Sequence, residues 1–456
     1  MNRTLFGHPP GLTFIFGTEM WERFSYYGMR ALLVLYLAKY LLLSPQIGHV
    51  LFYGQVKGFY ELLTGHPLSP QSLSSLIYGT YTGFIYATPW LGGWLADSWL
   101  GQRKTVMIGI VMMAFGHFMM ASEAMLFPAL TLLIFGGGLF KANTTAQVGM
   151  LYQTGDARRD RAYSIFYVGI NLGAFIAPLV AGTLGETVGW HYGFGAAGVG
   201  MMIALVIYVS GWKNLPAESP KRPAGKTPQR PLSRAEWKSV GALMVLVLPM
   251  TLWWACYEQQ GNIIALFADA NTDRRLIPGL IDWQIPVTWF QSFNPFMIFA
   301  FTPLLLSFWV RQARGHKEPN SMIKMVMGCG LLALSYVLIA AASWHAGSGQ
   351  VSWLWIAAYF AFITMGELHL APISYSLYSK VAPPRIVSLM FAVVYTPNFL
   401  GGGLLQGWLG TFWEDMSHPQ FFLMLAVIGV ISGAMLWLME RPLHPYLQES
   451  HDGQRQ

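Results

Sequence analysis

Apolar runs long enough to cross a bilayer alternate along the chain with short polar gaps. A membrane-crossing helix needs about 20 mostly apolar residues. By that measure the pattern predicts twelve spans, centred within 12–42, 73–97, 104–122, 126–152, 162–185, 189–212, 238–268, 283–310, 321–344, 351–379, 386–412 and 419–440. The gaps between them alternate in charge. Every second gap carries a basic cluster: Arg103 and Lys104; Arg158, Arg159 and Arg161; Arg311, Arg314 and Lys317; Lys380 and Arg385. The others hold Glu123, Glu186, the mixed run Asp273-Arg274-Arg275, and Glu414 with Asp415. Basic residues accumulate in cytoplasmic loops, so both termini are expected on the cytoplasmic side. One stretch breaks the pattern. Residues 214–236 set Pro216, Pro220, Pro223, Pro228 and Pro231 among Lys221, Arg222, Lys226, Arg230 and Arg234, the composition of a solvated cytoplasmic linker.

That linker divides the chain into 1–213 and 237–456, two sets of six predicted helices. The expected fold is an all-α membrane protein of major-facilitator type, with its two six-helix halves. Composition agrees. Hydrophobic residues make up 54% of the 456 and charged residues 11%, against roughly a quarter in a soluble chain. Such a chain cannot cover a water-facing surface, so it is expected to be an integral membrane protein. The 48 glycines suit the close helix contacts that membranes favour; the Gly136–Gly138 run reads as such packing. The net charge of +7 sits in the gaps and not in a phosphate-binding stripe, which argues against nucleic acid. Cys256 and Cys329 lie in apolar segments, so neither a disulfide framework nor a thiolate metal site is implied. No cleaved signal peptide is expected from the short N-terminus. The sequence carries no Walker A motif, and thus no ATP-driven step. It shows no nucleophile–base set or clustered metal ligands either, which argues against an enzyme and against a metal or organic cofactor.

Ionisable residues inside the apolar runs are the most informative feature. Glu19, Glu22, Arg23, Tyr26, Tyr27 and Arg30 recur at i, i+3, i+4, i+7, i+8 and i+11. At helical spacing they share one stripe of about 140° over three turns. Each charged group at mid-bilayer costs about 2.5–3.5 kcal/mol, so four on one face read as lining a substrate or ion path, with a helix-locking ion-pair network as the alternative. Lys141, Glu258 and Glu367 lie in later apolar runs. Lys141 has apolar sequence on both sides, which argues against a snorkelling side chain. Together these fixed charges of both signs suit a zwitterion with separated ends. His117 and His369 stand alone in apolar helices and are expected to be hydrogen-bonded core residues.

The run Glu19-x-x-Glu22-Arg23-Phe24-x-Tyr26-Tyr27-Gly28 resembles the hallmark of the proton-dependent oligopeptide transporters. The segment from Gly93 through Asp97 and Gly101 to Lys104 resembles the loop after the second helix in major facilitators generally. Phe166-Tyr167-Val-Gly-Ile-Asn171-Leu-Gly173-Ala174 resembles the family's fifth-helix signature. The resemblance runs over nearly the whole chain. It implies proton-coupled import of di- and tripeptides by alternating access, from a plasma (bacterial inner) membrane, with protons as coupling ion. By that resemblance Arg23 and Lys141, helped by Tyr27, would hold the peptide carboxylate. Glu367 would receive the amino end, Asn171 and Asn294 would bond the peptide backbone, and Tyr26 and Tyr86 would line the central cavity between the halves. Glu258 and Arg30 would form a proton-sensitive pair, and Glu19 and Glu22 would couple protons to Lys141.

The chain departs from the family at several places. Ala371 stands where Ser usually precedes the tenth-helix Pro, Gly401-Gly402 replaces a Gly-Asn pair, and Gly79 aligns with a second-helix His of mammalian relatives. The linker is also too short for the two extra helices of many bacterial relatives, which need about 40 residues. The usual eleventh-helix Trp is replaced by Val394 or Tyr395. That loss is expected to widen one cavity wall and favour bulky peptides, unless Tyr395 or another aromatic fills the space. The alternatives are another solute in the same fold, such as nitrate, an amino acid or a peptide-like drug, or a non-transporting membrane receptor. The Glu367 carboxylate argues against nitrate, which has no amino group to receive.

Overall fold

The computed structural model describes residues 7–153, 156, 158–217, 231–347, 349–383 and 386–447. Most of the expected linker and the basic residue Arg385 lie outside them. Within these bounds, helix covers all twelve of the apolar stretches. Nine are both long and apolar enough to cross a membrane, among the described residues. The other three begin at Pro70, Gln102 and Val387, and their helices run to Leu100, Met119 and Gly410 with only local irregularity.

The described residues form two compact units, one within Met1–Gly225 with Arg275–Pro295, the other within Lys226–Arg274 and Phe296–Gln456. In the first, α1 (Gly11–Lys39) is the central helix and packs on α3 (Pro70–Ala87), α7 (Arg158–Ala177) and α9 (Trp190–Ser210). Between α1 and α3 lies a shorter helix, α2 (Tyr53–Thr64), whose Phe59, Leu62 and Leu63 are exposed. The hydropathy pattern did not indicate it. Next come α4 (Pro89–Leu95) with a π turn over Ala96–Leu100, then α5 (Gln102–Met119) and α6 (Leu126–Met150). A Cβ on Gly92 would sit 2.1 Å from Gly138 O, and one on Gly136 would sit 2.9 Å from Gly109 O. Gly136 and Gly138 thus set the contacts of α6 with α4 and α5, as the sequence suggests. Gly137 differs: its added Cβ would meet only Met113 Sδ, at 3.9 Å.

After α7 the chain passes through a π turn, Pro178–Gly182, into the short α8 (Thr183–Thr187). This corner receives Arg275–Pro295. Glu186 accepts hydrogen bonds from the amides of Val287 (2.9 Å) and Thr288 (2.8 Å) and from Thr288 Oγ1 (2.6 Å). Trp289 Nε1 donates to Thr183 Oγ1 at 2.7 Å, and Ser292 Oγ donates to Phe175 O at 2.8 Å. At the α6–α7 turn, Arg158 Nη2 lies 2.7 Å from Asp156 Oδ2, and this hydrogen-bonded guanidinium pulls the Asp156 carboxyl down to about 2.

The second unit begins with α10 (Arg234–Val245), capped reciprocally by Ser233 and Glu236. It continues through α11 (Val247–Tyr257), a 3-10 turn over Glu258–Gly261, and α12 (Ile263–Ala270). Then follow α13 (Phe293–Arg314), α14 (Ser321–Ala346), α15 (Trp353–Val381), α16 (Val387–Phe399), a π turn over Leu400–Leu405, α17 (Gln406–Gly410) and α18 (His418–Leu447). Helix α14 is the hub, packed on α15 and α18. Gly328 and Gly366 allow the α14–α15 crossing, since a Cβ on either would come within 3 Å of the other's carbonyl oxygen. Buried hydroxyls find main-chain acceptors across helices: Tyr336 Oη donates to Cys256 O and Tyr378 Oη to Leu243 O, each at 2.5 Å. Strand is minor, with β1 (Thr272–Asp273) beside β4 (Val351–Ser352) and β2 (Arg275–Ile277) beside β3 (Ile281–Gln284).

Candidate functional site

In the first unit the α1 stripe closes into one polar cluster. Arg23 Nε lies 3.0 Å from Glu19 Oε1 and 2.5 Å from Glu22 Oε2, and all three residues are buried. Arg23 also lies against Tyr26, its Cζ 5.6 Å from the ring centroid, and Tyr26 meets Tyr27 edge-on at 5.0 Å. Thr144 Oγ1, from α6, donates to Glu19 Oε2 at 3.1 Å. One helical turn before Thr144, Lys141 lies within electrostatic reach of both carboxylates, with Nζ 4.1 Å from the Tyr86 ring centroid. Two carboxylates therefore face two cations, Arg23 and Lys141. Two turns beyond Arg23, Arg30 Nε donates to Tyr78 Oη at 2.8 Å, and its Cζ lies 5.9 Å from the Tyr27 ring centroid.

Helix α7 holds this stripe closely. A Cβ on Gly173 would come 2.2 Å from Met20 O and 2.9 Å from Arg23 Cβ, so only glycine permits the approach. Asn171, one turn-face away and buried, donates Nδ2 to its own helix at Tyr167 O, 3.0 Å. Asn294 is the second residue of α13, half-buried, and belongs to the first unit.

Glu258 and Glu367 belong to the second unit. Glu258 opens the 3-10 turn that ends α11 and is buried. Its seat depends on Gly401-Gly402: a Cβ on Gly402 would meet Glu258 Cγ at 2.9 Å, and one on Gly401 would meet Thr251 O at 2.0 Å. The second glycine, where the family has Asn, thus leaves room for the carboxylate stem. Glu367, half-buried on α15, accepts a hydrogen bond from Tyr257, the residue next to Glu258. Tyr257 therefore lies within electrostatic reach of two carboxylates 109 positions apart in sequence. The sequence reading passed over Tyr257, Thr144 and Tyr78. Only Tyr257 had a signal, its place beside an embedded Glu.

Exposure does not separate the candidate residues cleanly by expected role. Glu19, Glu22, Arg30 and Glu258 are all buried. Tyr27, Tyr86, Lys141, Asn294 and Glu367 are half-buried, with surface to offer a ligand. Arg23, Tyr26 and Asn171 are buried with the first group.

One expectation needs correction. His369 is hydrogen-bonded as expected, its Nδ1 2.7 Å from Met365 O and its ring edge-on to Trp309. His117 is not: it is 2% exposed, and its Nδ1 has no hydrogen-bond partner among the described residues. It lines a small pocket with Glu22, Arg23, Tyr26, Tyr81 and Lys141. Of the two residues that stand where the family Trp would be, Val394 has no exposed surface, while Tyr395 keeps 37% and packs its ring 5.6 Å from Tyr375.

Comparison with known proteins follows the same lines. The chain is 30% identical to a peptide transporter of Yersinia enterocolitica, over 99% of this chain and 98% of that one. It is 28% identical to a di-/tripeptide transporter of Lactococcus lactis subsp. cremoris, over 97% of each. Its structure superposes on the crystal structure of a peptide transporter POT in complex with sulfate with a TM-score of 0.84 at 28% identity, covering 98% of both chains. The fold is thus the all-α, major-facilitator membrane fold that the sequence implies. A profile of the POT family matches residues 103–227 and 226–422. With most of its length matched by that profile, and a relative similar from end to end, the chain belongs to the POT family.

Proposed function

We propose that this protein is a proton-coupled symporter that imports di- and tripeptides by alternating access. The observation that carries the reading is the charge-matched, buried cluster of Glu19, Glu22 and Arg23 with half-buried Lys141 beside it. A merely locking network has no use for a cation left half-open against Tyr86. The similarity to peptide and di-/tripeptide transporters supports the substrate class.

In this reading Arg23 and Lys141 receive the peptide carboxylate, the first as a planar fork and the second as a compact charge. Tyr26, Tyr27 and Tyr86 surround it, Asn171 and Asn294 bond the peptide backbone, and Glu367 receives the amino group. Glu19, Glu22, Arg30 and Glu258 carry the proton coupling. A carboxylate beside a guanidinium stays ionised, and one separated from it in a dry site takes up a proton. Protonation therefore biases which side the cavity faces, and a potential of 100 mV adds about 2.3 kcal/mol per translocated charge. The halves are 1–213 and 237–456, joined by a cytoplasmic linker at 214–236, in an inner membrane with both termini inside.

Purified protein in liposomes tests this by counterflow and by uptake under an inward proton gradient. Dipeptides and tripeptides should accumulate only with the gradient, while tetrapeptides, free amino acids and nitrate should not. Accumulation of nitrate or amino acids in their place, or uptake indifferent to pH, would overturn it.

A further inference from the structure

The pocket behind the α1 cluster joins two features that the sequence kept apart. Lining it are Glu22, Arg23 and Tyr26 of α1, Tyr81 of α3, Lys141 of α6 and His117 of α5, together with apolar residues and Gly137. Its space is about that of one water. We propose that this pocket is a water site through which His117 exchanges a proton with Glu22, making His117 a further protonatable member of the coupling cluster. The inference rests on the reading of Glu22 as a proton-coupling residue.

The geometry supplies three reasons. First, a buried ring nitrogen without a partner is costly, and a leucine or phenylalanine would fill the same apolar surroundings without that cost. His117 Nδ1 is such a nitrogen, on a side chain 98% removed from solvent and facing the pocket. Second, a bound water needs two to four polar partners, and the Glu22 carboxylate, the Lys141 ammonium and His117 Nδ1 supply donors and acceptors around one small space. Third, the space is kept open by a residue choice. Its neighbours Gly136 and Gly138 are closed in by backbone or side-chain atoms within 3 Å of an added Cβ, yet Gly137 would meet only Met113 Sδ at 3.9 Å. Close packing does not require glycine there; an open pocket does.

The step balances without a co-reactant. In the Nε2-protonated tautomer, Nδ1 carries a lone pair. The carboxylic O–H of protonated Glu22 donates to the water oxygen while a water O–H donates to Nδ1. Passing one proton along this line gives Glu22 carboxylate and His117 imidazolium and restores the water. The charged and titratable groups facing the site are Glu22, Arg23, Tyr26, Tyr81 and Lys141; α9, also packed on α5, contributes none to the pocket among the described residues. With Glu22 newly anionic and Arg23 already paired to it, a proton on His117 keeps the charge near the cluster.

The test is dialanine uptake into liposomes under graded external pH, set against counterflow at equal pH, for the parent, His117→Gln and Gly137→Ala. Gln hydrogen-bonds but holds no exchangeable charge at these pH values, and the Ala methyl fills the water's space. Both variants should shift the midpoint of the pH profile by about half a unit or more and lower the ratio of pH-driven uptake to counterflow about fivefold. A parent-like midpoint and ratio in both would overturn the proposal, and if His117→Gln does not reach the membrane, Gly137→Ala decides alone. A second readout does not depend on transport. The 15N signal of His117, assigned by its loss in His117→Asn, should change its titration in Glu22→Gln, and an unchanged titration would also overturn the proposal. A parent without pH-driven uptake would instead defeat the symport reading, leaving the 15N result to decide the link between His117 and Glu22.

Discussion

With Glu19 and Glu22 both ionised against Arg23 alone, this group of three would hold one uncompensated negative charge in a buried place, and Lys141 supplies a nearby cation that closes the balance. Lys141→Ala should therefore cost twice, in the peptide clamp and in the cluster itself. A hydrogen bond to a charged group is worth about 1.5–3 kcal/mol, which corresponds to about a 10- to 150-fold loss of dipeptide affinity. Competition binding and uptake on correctly inserted protein would show it, and parent-like values of both would make Lys141 structural. Glu258→Gln separates two functions. Gln cannot release a proton, so uptake driven by a pH gradient should fall far more than peptide-for-peptide counterflow; accumulation at the parent level would remove Glu258 from coupling. At this scale the sequence was informative where one helix carries the whole pattern, as from Glu19 to Arg30. It was silent on Thr144 and Tyr78, because their partners lie on other helices and ordinary Thr and Tyr residues leave no mark in an apolar run.

Helices could be placed from the chain because crossing a bilayer demands a minimum apolar length, whatever the tertiary fold. Irregularities within them could not. The π turns at Ala96, Pro178 and Leu400 and the 3-10 turn at Glu258 leave no mark in the apolar pattern. The short helix α2 escaped for the opposite reason, since twelve residues of mixed polarity make no bilayer-length run. In the eleventh predicted span one step of register separates a core position from an exposed one: Val394 is buried and Tyr395 keeps an exposed ring. Val394→Trp should accordingly overpack the core and lower stability by about 1–3 kcal/mol, with equal effects on large and small peptides. Tyr395→Ala should change the preference between Phe-containing and Ala dipeptides. Unfolding in detergent and competition assays would check both, and a size-selective loss in Val394→Trp would return position 394 to the pocket.

At the scale of the whole molecule, topology and the reach of Arg275–Pro295 are separate questions. In the proposed topology, with the basic gaps cytoplasmic, Ser233 would lie inside and Ser417 outside, and both side chains are exposed. In a background lacking Cys256 and Cys329, Ser233→Cys should react from the cytoplasmic face and Ser417→Cys from the other. Labelling of Ser417→Cys from the cytoplasm alone would reverse the topology. The segment Val287–Ser292 lies within the second half of the sequence yet joins the first unit, where Glu186 accepts hydrogen bonds from the amides of Val287 and Thr288. Glu186→Ala leaves those donors without their charged acceptor and should lower stability by about 1.5–3 kcal/mol in detergent unfolding. An unchanged transition would mean that Trp289 and Ser292 hold the segment by themselves.

The sequence by itself determined the membrane class, the helical spans and the stripe from Glu19 to Arg30, because lipid imposes length and polarity rules on each helix separately. Tertiary structure alone decided that Arg275–Pro295 joins the first unit, that Gly402 makes room for Glu258, and that His117 faces the Glu22 pocket without a partner. Those outcomes depend on which residues of different helices meet within a few ångströms. No periodicity along one helix encodes that, because each contact needs two surfaces brought together by packing.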